Sequence, residues 1–201
     1  MPFIVIEGCD GAGKSTQISL ITNYLLSKGK HVHNLVFPDR TTITGKIINE
    51  YLSKNKEVGS KIDTDTLHML FASNRYEKKE FIKKIMSDKP YEYILCDRYI
   101  YSGIAYSYAT GCDYDFCKTI DSFLPIPDTL FYLDLDPSIS LKRGEKGNEI
   151  YENTTFQNKV YANYKTVIND KEVIKTTNVV IVDAKQSIDD VFNKITTDIS
   201  I

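Results

Sequence analysis

Short apolar runs recur along the chain: Phe3–Ile6, Val32–Phe37, Tyr93–Cys96, Thr129–Leu133 and Val179–Val182. They are rich in Ile, Val, Leu and Phe, and polar residues do not alternate within them. That pattern predicts strands buried on both faces. Helical spacing of apolar positions fills the intervals, roughly over Lys14–Ser27, Thr42–Ser53, Asp63–Met86, Tyr99–Ala109, Pro137–Arg143, Thr154–Asn169 and Ser187–Thr197. Strand–helix alternation predicts an α/β fold, a five-stranded parallel sheet with helices on both faces. Ligands of such sheets bind at the carboxyl ends of the strands.

The strand ends therefore carry the candidate chemistry. The first ends at Gly8, the second at Phe37-Pro38-Asp39-Arg40, the third at Asp97-Arg98-Tyr99 and the fourth near Asp134-Leu135-Asp136. All four ends are expected to open onto one face. After the first strand, Gly8-Cys9-Asp10-Gly11-Ala12-Gly13-Lys14-Ser15 fits G-x-x-x-x-G-K-[ST] without a mismatch and leads straight into a helix. Such a loop cradles phosphates, because glycines let several N–H groups converge and the helix start adds positive potential. Lys14 is expected to reach the β/γ-phosphates, and the Ser15 hydroxyl to hold Mg²⁺. The fold expectation is thereby narrowed to the P-loop NTPase type.

Composition restricts the picture. A length of 201 residues suits one domain, 1–201, and 42% hydrophobic content supports a core. A net charge of −2 argues against a general nucleic-acid binder. No apolar run approaches a membrane span, and Met1-Pro2 leads into the first strand without a signal-like region. The cysteines Cys9, Cys96, Cys112 and Cys117 form no C-x-x-C pair and read as free thiols of a reducing cytoplasm. Around 143–150, the polar stretch Arg143-Gly144-Glu145-Lys146-Gly147-Asn148-Glu149 reads either as a short lid or as an ordinary surface loop.

Asp97 follows an apolar strand and precedes a helix, so it suits either Mg²⁺ binding or a helix N-cap. Arg98 and Arg40 discriminate between reaction types. A hydrolase must activate water, whereas a phosphate acceptor is already an anion and needs no general base. Bringing two charged phosphates together calls for planar guanidinium groups, which bind phosphate oxygens bidentately. Phe71 and Arg75 share one helix face, which fits either a base-stacking pair or a core Phe beside a surface Arg.

These blocks together resemble the thymidylate kinase family. They are the strand and loop from Phe3 to Ser15, Phe37-Pro38-Asp39-Arg40, Leu70-Phe71-Ala72-Ser73-Asn74-Arg75, Asp97-Arg98-Tyr99 with Ser102-Gly103, Leu124-Pro125-Ile126-Pro127-Asp128, and Tyr151-Glu152-Asn153 before Phe156-Gln157. They occur in family order, and the pattern is closer to the eukaryotic and viral branch than to the bacterial one. The resemblance implies transfer of the ATP γ-phosphoryl group to dTMP. It implies ATP binding by Gly8, Asp10, Gly11, Ala12, Gly13, Lys14, Ser15, Thr16 and Arg143. It assigns Arg40 to the acceptor phosphate and has Arg98 bridge donor and acceptor. Phe71 would stack on thymine, Arg75 would bond its edge, and Ser102, Gly103 and Tyr106 would line the base pocket, with Phe37 and Asn74 also on the substrate. Asp10 would accept from the 3′-hydroxyl, Tyr151 would pack under the sugar, and Gln157 would face the nucleotide. Lys14, Asp97, Arg98, Arg40 and Arg143 would carry catalysis, with Mg²⁺ on Ser15 and Asp97. A homodimer is implied, through helices that include the one bearing Leu70-Phe71.

One departure stands out. Many relatives carry an arginine directly after the loop aspartate, where this chain has Gly11. The expectation is that Lys146 or Arg143 partly substitutes, and that Gly11→Arg raises turnover unless the backbone requires glycine. Rival readings are a kinase of another monophosphate, such as dUMP or dGMP, and a guanine-nucleotide switch. The switch lacks its Asn-Lys-x-Asp stretch, since Asn55-Lys56-Glu57 has neither the aspartate nor a preceding strand.

Overall fold

The computed structural model describes residues 1–53, 62–143, 151 and 153–199. Its centre is a parallel sheet with strand order β2-β3-β1-β4-β5. The strands are β1 (Phe3–Glu7), β2 (Val32–Val36), β3 (Tyr93–Asp97), β4 (Thr129–Asp134) and β5 (Asn178–Asp183). β1 and β3 are buried at every residue, as expected of strands covered on both faces. β2 and β5 are the sheet edges and stay partly exposed, so their apolar runs reflect edge strands with one well-covered side.

Alternation within β1 divides the core. Phe3 and Val5 pack on one face of the sheet with Tyr99, Ile104, Tyr132, Val160 and Tyr164. Ile4 and Ile6 pack on the other with Ile18, Ile21, Leu25, Leu133, Val191 and Ile195. The second face is covered by α1 (Lys14–Ser27) and α10 (Ile188–Asp198), and the first chiefly by α5 (Ile100–Thr110) and α8 (Thr154–Ile168). α2 (Ile43–Leu52), α3 (Thr64–Tyr76), α4 (Lys79–Asp88), α6 (Tyr114–Asp121), α7 (Pro137–Arg143) and α9 (Lys171–Thr176) complete the described elements. Among the described residues no helix is long and apolar enough to cross a membrane.

The single helix expected over Asp63–Met86 is two. At the break, Lys78 N–H bonds the Arg75 carbonyl, a tighter step than the α-helical one. Both residues of the break are held from outside: Glu77 accepts from Thr44 Oγ1 at 3.0 Å, and Lys78 pairs with Asp39 at 2.9 Å. The break lets α3 follow α2 and α5 while α4 turns Ile82 and Ile85 into the sheet core. Two short helices, α6 and α9, have no counterpart in the expected elements. Each starts at an aspartate whose side chain caps it, Asp113 on Phe116 N–H and Asp170 on Glu172 N–H.

Register fixes the functional face. β1 pairs with β3 so that Ile6 lies opposite Asp97, and with β4 so that Glu7 lies opposite Tyr132. The ladder continues one step further, with Arg98 N–H donating to the Ile6 carbonyl at 3.1 Å. The loop after β1 and the Asp97-Arg98 step after β3 are therefore neighbours because the strands are.

Candidate active site

The phosphate-loop end is built from backbone. Gly8, Gly11 and Gly13 have positive φ angles of 149°, 76° and 95°. Gly8 is also sterically required: a Cβ there would lie 2.8 Å from the Leu133 carbonyl oxygen on β4. α1 starts at Lys14 with no side-chain cap, so the first-turn N–H groups, including those of Ser15 and Thr16, are left for an anion. Ala12 N–H closes the loop on the Cys9 carbonyl at 3.2 Å. Lys14 is buried and folds back onto that same carbonyl at 2.8 Å. Burial pushes its ammonium down to about 8, and the Arg98 charge acts in the same direction.

Ser15 Oγ donates to Asp97 Oδ2 at 2.6 Å. Asp97 does not cap α5. That task falls to Glu7, fully buried at the end of β1, whose Oε1 accepts from Tyr99 N–H at 2.8 Å and Ser102 N–H at 3.0 Å. Its Oε2 accepts from the Tyr164 hydroxyl at 2.9 Å. Burial raises the Glu7 carboxyl, and the Arg98 charge and these bonds oppose that rise. Nothing in the sequence beyond a carboxylate at the end of an apolar strand pointed to this role.

Arg98 joins the two halves of the site. Its φ of 65° lies in the left-handed region, sparsely used by non-glycine residues and a recurrent mark of functional positions. Its backbone is bracketed by the Ile6 ladder bond and by Glu7 on Tyr99. Its guanidinium donates to the Gly8 carbonyl at 3.1 Å and to the Asp10 carboxylate, and lies over the Tyr106 ring at 5.2 Å. Burial alone raises the Asp10 carboxyl, but Arg98 and Lys14 outweigh it and hold the group below the usual range.

Beside Arg98 opens a cavity of about 750 Å³ of atom-free space, a figure that includes the solvent at its mouth. Asp10, Phe37, Arg40, Phe71, Arg75, Arg98, Ser102, Gly103, Tyr106 and Tyr151 all line it. Arg40 is exposed at the rim, and its Nη1 donates to Asn49 Oδ1 at 2.8 Å. Tyr151 stacks on Phe156, with ring centroids 4.6 Å apart and an interplanar angle of 8°. Arg75 is buried and clamped by Asp121. Nε and Nη2 donate to Oδ1 at 3.0 and 2.9 Å, and Nη2 reaches Oδ2 at 2.6 Å. Gly103 makes room for this guanidinium, since a Cβ there would come 2.6 Å from Nη2. Asp121, at the end of the unforeseen α6, carried no sequence signal.

Two residues expected on the nucleotide are placed elsewhere. Gln157 is fully buried behind the cavity, donating to Asp10 Oδ2 at 2.8 Å and to the Tyr151 carbonyl at 3.1 Å. Asn74 is also fully buried. It accepts from Asp39 N–H at 2.7 Å and donates to the Asp39 carbonyl, Thr42 and Thr44, tying α3 to the segment that carries Arg40. Both position the residues that line the cavity instead of lining it themselves. Arg143 closes α7, but its side chain, residues 144–150 of the expected lid, and Lys146 lie outside the described residues.

The donor set at the loop is one hydroxyl and one carboxylate 2.6 Å apart. Hard oxygen ligands with open sides match Mg²⁺, which keeps several waters and takes few protein ligands. Among the described residues no group of three or more His, Cys, Asp or Glu side chains could hold a metal ion.

Comparison with known proteins follows the same line. Residues 6–195 match the family model described as thymidylate kinase. A thymidylate kinase of Dictyostelium discoideum is 40% identical over 97% of this chain and 83% of its own length. That of Homo sapiens is 36% identical over 96% and 86%. A solved thymidylate kinase structure from Candida albicans superposes with a TM-score of 0.79 at 34% identity, covering 98% of this chain and 90% of that one.

Proposed function

This chain belongs to the thymidylate kinase family and is an ATP-dependent dTMP kinase, and we propose that it works by clamping two nucleotides end to end with Arg98 at the junction. One observation carries this mechanism: the Arg98 guanidinium bonds the phosphate loop through Gly8 and Asp10 while lining the adjoining cavity. ATP places its phosphates on the loop N–H groups and Lys14. dTMP occupies the cavity, base toward Phe71 and Arg75, phosphate toward Arg40 and Arg98.

The acceptor phosphate is already an anion, so no general base is needed. Arg98 and Lys14 neutralise charge as the γ-phosphoryl group passes between the nucleotides, and the fixed geometry supplies proximity. Asp10, held by Arg98 and Gln157, faces the sugar. Tyr151, stacked on Phe156, forms the floor beneath it. Ser15 and Asp97 are the residues that would hold Mg²⁺, which supplies further neutralisation of the donor phosphates.

A coupled assay with ATP and dTMP tests this. Arg98→Ala is expected to lower kcat with much smaller changes in either KM. A loss confined to KM would place Arg98 in substrate binding alone. We further propose a cytoplasmic homodimer. Apolar Ile43 and Ile47 on α2 and Met69 on α3 are exposed on helices that pack against each other. Sedimentation equilibrium that returns a monomer at micromolar concentration would refute the dimer.

A further inference from the structure

Glu7 and Tyr164 are fully buried, and both reach Arg98 from the side away from the cavity, which neither of them lines. Tyr164, on α8, lies outside the blocks that carry the family resemblance. Arg98 has two things to keep fixed: a backbone at φ 65° and a guanidinium at the cavity edge. A non-glycine residue holds such a φ only where its surroundings over-determine it.

Glu7 acts on the backbone. Its Oε1 accepts from Tyr99 N–H at 2.8 Å, in the peptide group just after Arg98. The peptide group just before Arg98 is tied to the Ile6 carbonyl at 3.1 Å. Both peptides that flank the Arg98 Cα are thus bonded to consecutive residues of β1, which fixes the two dihedral angles between them.

Tyr164 acts on the side chain. Its hydroxyl has one proton to give. Glu7 Oε2 is the nearer acceptor, at 2.9 Å, and carries the charge; the Gly8 carbonyl lies at 3.5 Å and already takes Arg98 Nη1 at 3.1 Å. With that proton on the Glu7 side, the hydroxyl lone pairs are left for Arg98 Nη1, 3.4 Å away. One carboxylate therefore grips Arg98 twice, at its backbone through Tyr99 N–H and at its guanidinium through Tyr164.

We infer that Glu7 and Tyr164 are positioning residues for phosphoryl transfer, a buried support that holds Arg98 in the shape the reacting phosphates meet. This role rests on the proposed place of Arg98 at the junction of the two nucleotides. ATP keeps its loop and dTMP keeps its cavity when the support is cut, so the cost falls on the chemical step and not on either affinity.

The experiment is a double-mutant cycle in steady-state kinetics of the full chain. Tyr164→Phe keeps the ring that packs on Tyr132, with centroids 5.1 Å apart, and removes only the hydroxyl. It is expected to lower kcat about tenfold, the scale of one hydrogen bond to a charged partner, with both KM values little changed. Glu7→Gln keeps an oxygen for Tyr99 N–H and removes the charge; it is expected to lower kcat to a similar extent, and it serves if Tyr164→Phe does not fold. A merely structural role would also lower stability, so the deciding readout is the background. Arg98→Lys keeps a charge but loses the planar fork that the support orients. In that background either substitution is expected to change kcat less than about twofold. The same tenfold loss in both backgrounds, a loss confined to KM, or wild-type kcat in Tyr164→Phe and Glu7→Gln overturns the assignment. Arg98→Ala tests the premise separately: if it keeps a tenth or more of wild-type kcat, Arg98 does not sit at the junction and the proposed mechanism itself is wrong.

Discussion

The two ends of the site are made differently. The phosphate end is a contiguous loop whose groups are mostly backbone, set by glycines and a helix start within a few residues of one another. The base end is a set of side chains held by partners far away in sequence: Arg75 by Asp121, 46 residues on, Ser107 by His68, 39 residues back, and the Arg40 segment by Asn74, 35 residues from Asp39. Generic phosphate binding needs only N–H groups and a lysine. Choosing a base needs donors and acceptors at fixed points, which calls for buried supports. Arg98 belongs to both ends, and its substitution should produce the largest effect of any single change. Arg98→Ala is expected to reduce kcat about 10³-fold, of the order lost with other phosphoryl-clamping arginines. Thermal stability should change little by comparison. A variant that kept a tenth of wild-type kcat would mean that the two ends meet without it.

The base end should also be the more fragile of the two. Asp121→Ala leaves a buried guanidinium without its carboxylate, which destabilises proteins by about 3–5 kcal/mol. Replacing both partners with apolar residues of similar size, Arg75→Met with Asp121→Leu, should recover most of that stability while leaving the dTMP KM high. Chemical denaturation and kinetics on the same preparations check both halves. If the single Asp121 variant unfolds at the wild-type denaturant concentration, the pair does not hold the base end together.

Acid should act first on that same end. Burial, reinforced by Arg75, depresses His68 from 6.5 to about 4 in the folded protein. The unfolded chain takes up the proton first as pH falls below 6.5, so the folded state loses stability from there down to about 4 and keeps the full contribution above 6.5. At pH 5 the loss is about 2 kcal/mol. Melting curves of wild type and His68→Phe between pH 7 and 5 isolate this group from the carboxylates, because only the wild type should show the extra fall. Parallel curves would show that His68 is not buried neutral.

The contrast between the ends also explains what the sequence made legible. Strand positions, the loop and the convergence of Arg40, Asp97 and Arg98 follow from local apolar runs and from the rule that parallel strands open at one edge. The base-end residues could be named only by resemblance, and two of them, Asn74 and Gln157, lie buried behind the cavity lining, because spacing cannot show which way a buried amide points. Asp121, His68 and Glu7 carried no local signal. An aspartate at the end of a short helix, a lone histidine and a strand-end glutamate each have ordinary readings until the fold brings their partners to them. The break between α3 and α4 was hidden for the same reason, since it is held by Thr44 and Asp39 from outside the helix.

The smallest predicted effect tests the phosphate end where its local simplicity has a cost. The family resemblance implied an arginine at the position of Gly11, and an arginine there was expected to raise turnover. The backbone argues otherwise: φ is 76° at Gly11, in the left-handed region where an L side chain costs about 1 kcal/mol. Gly11→Arg would have to offset that cost, and hold the loop shape that presents the N–H groups, before its guanidinium could reach a phosphate. The expected outcome is a modest fall in thermal stability, shared by Gly11→Ala, with no gain in kcat. The alanine variant separates the backbone cost from anything the arginine adds, since it has the same φ problem and no charge. If Gly11→Arg raises kcat with the melting temperature unchanged, the loop can adopt a second backbone conformation at this position, and the phosphate end is less fixed by its glycines than the base end is by its buried pairs.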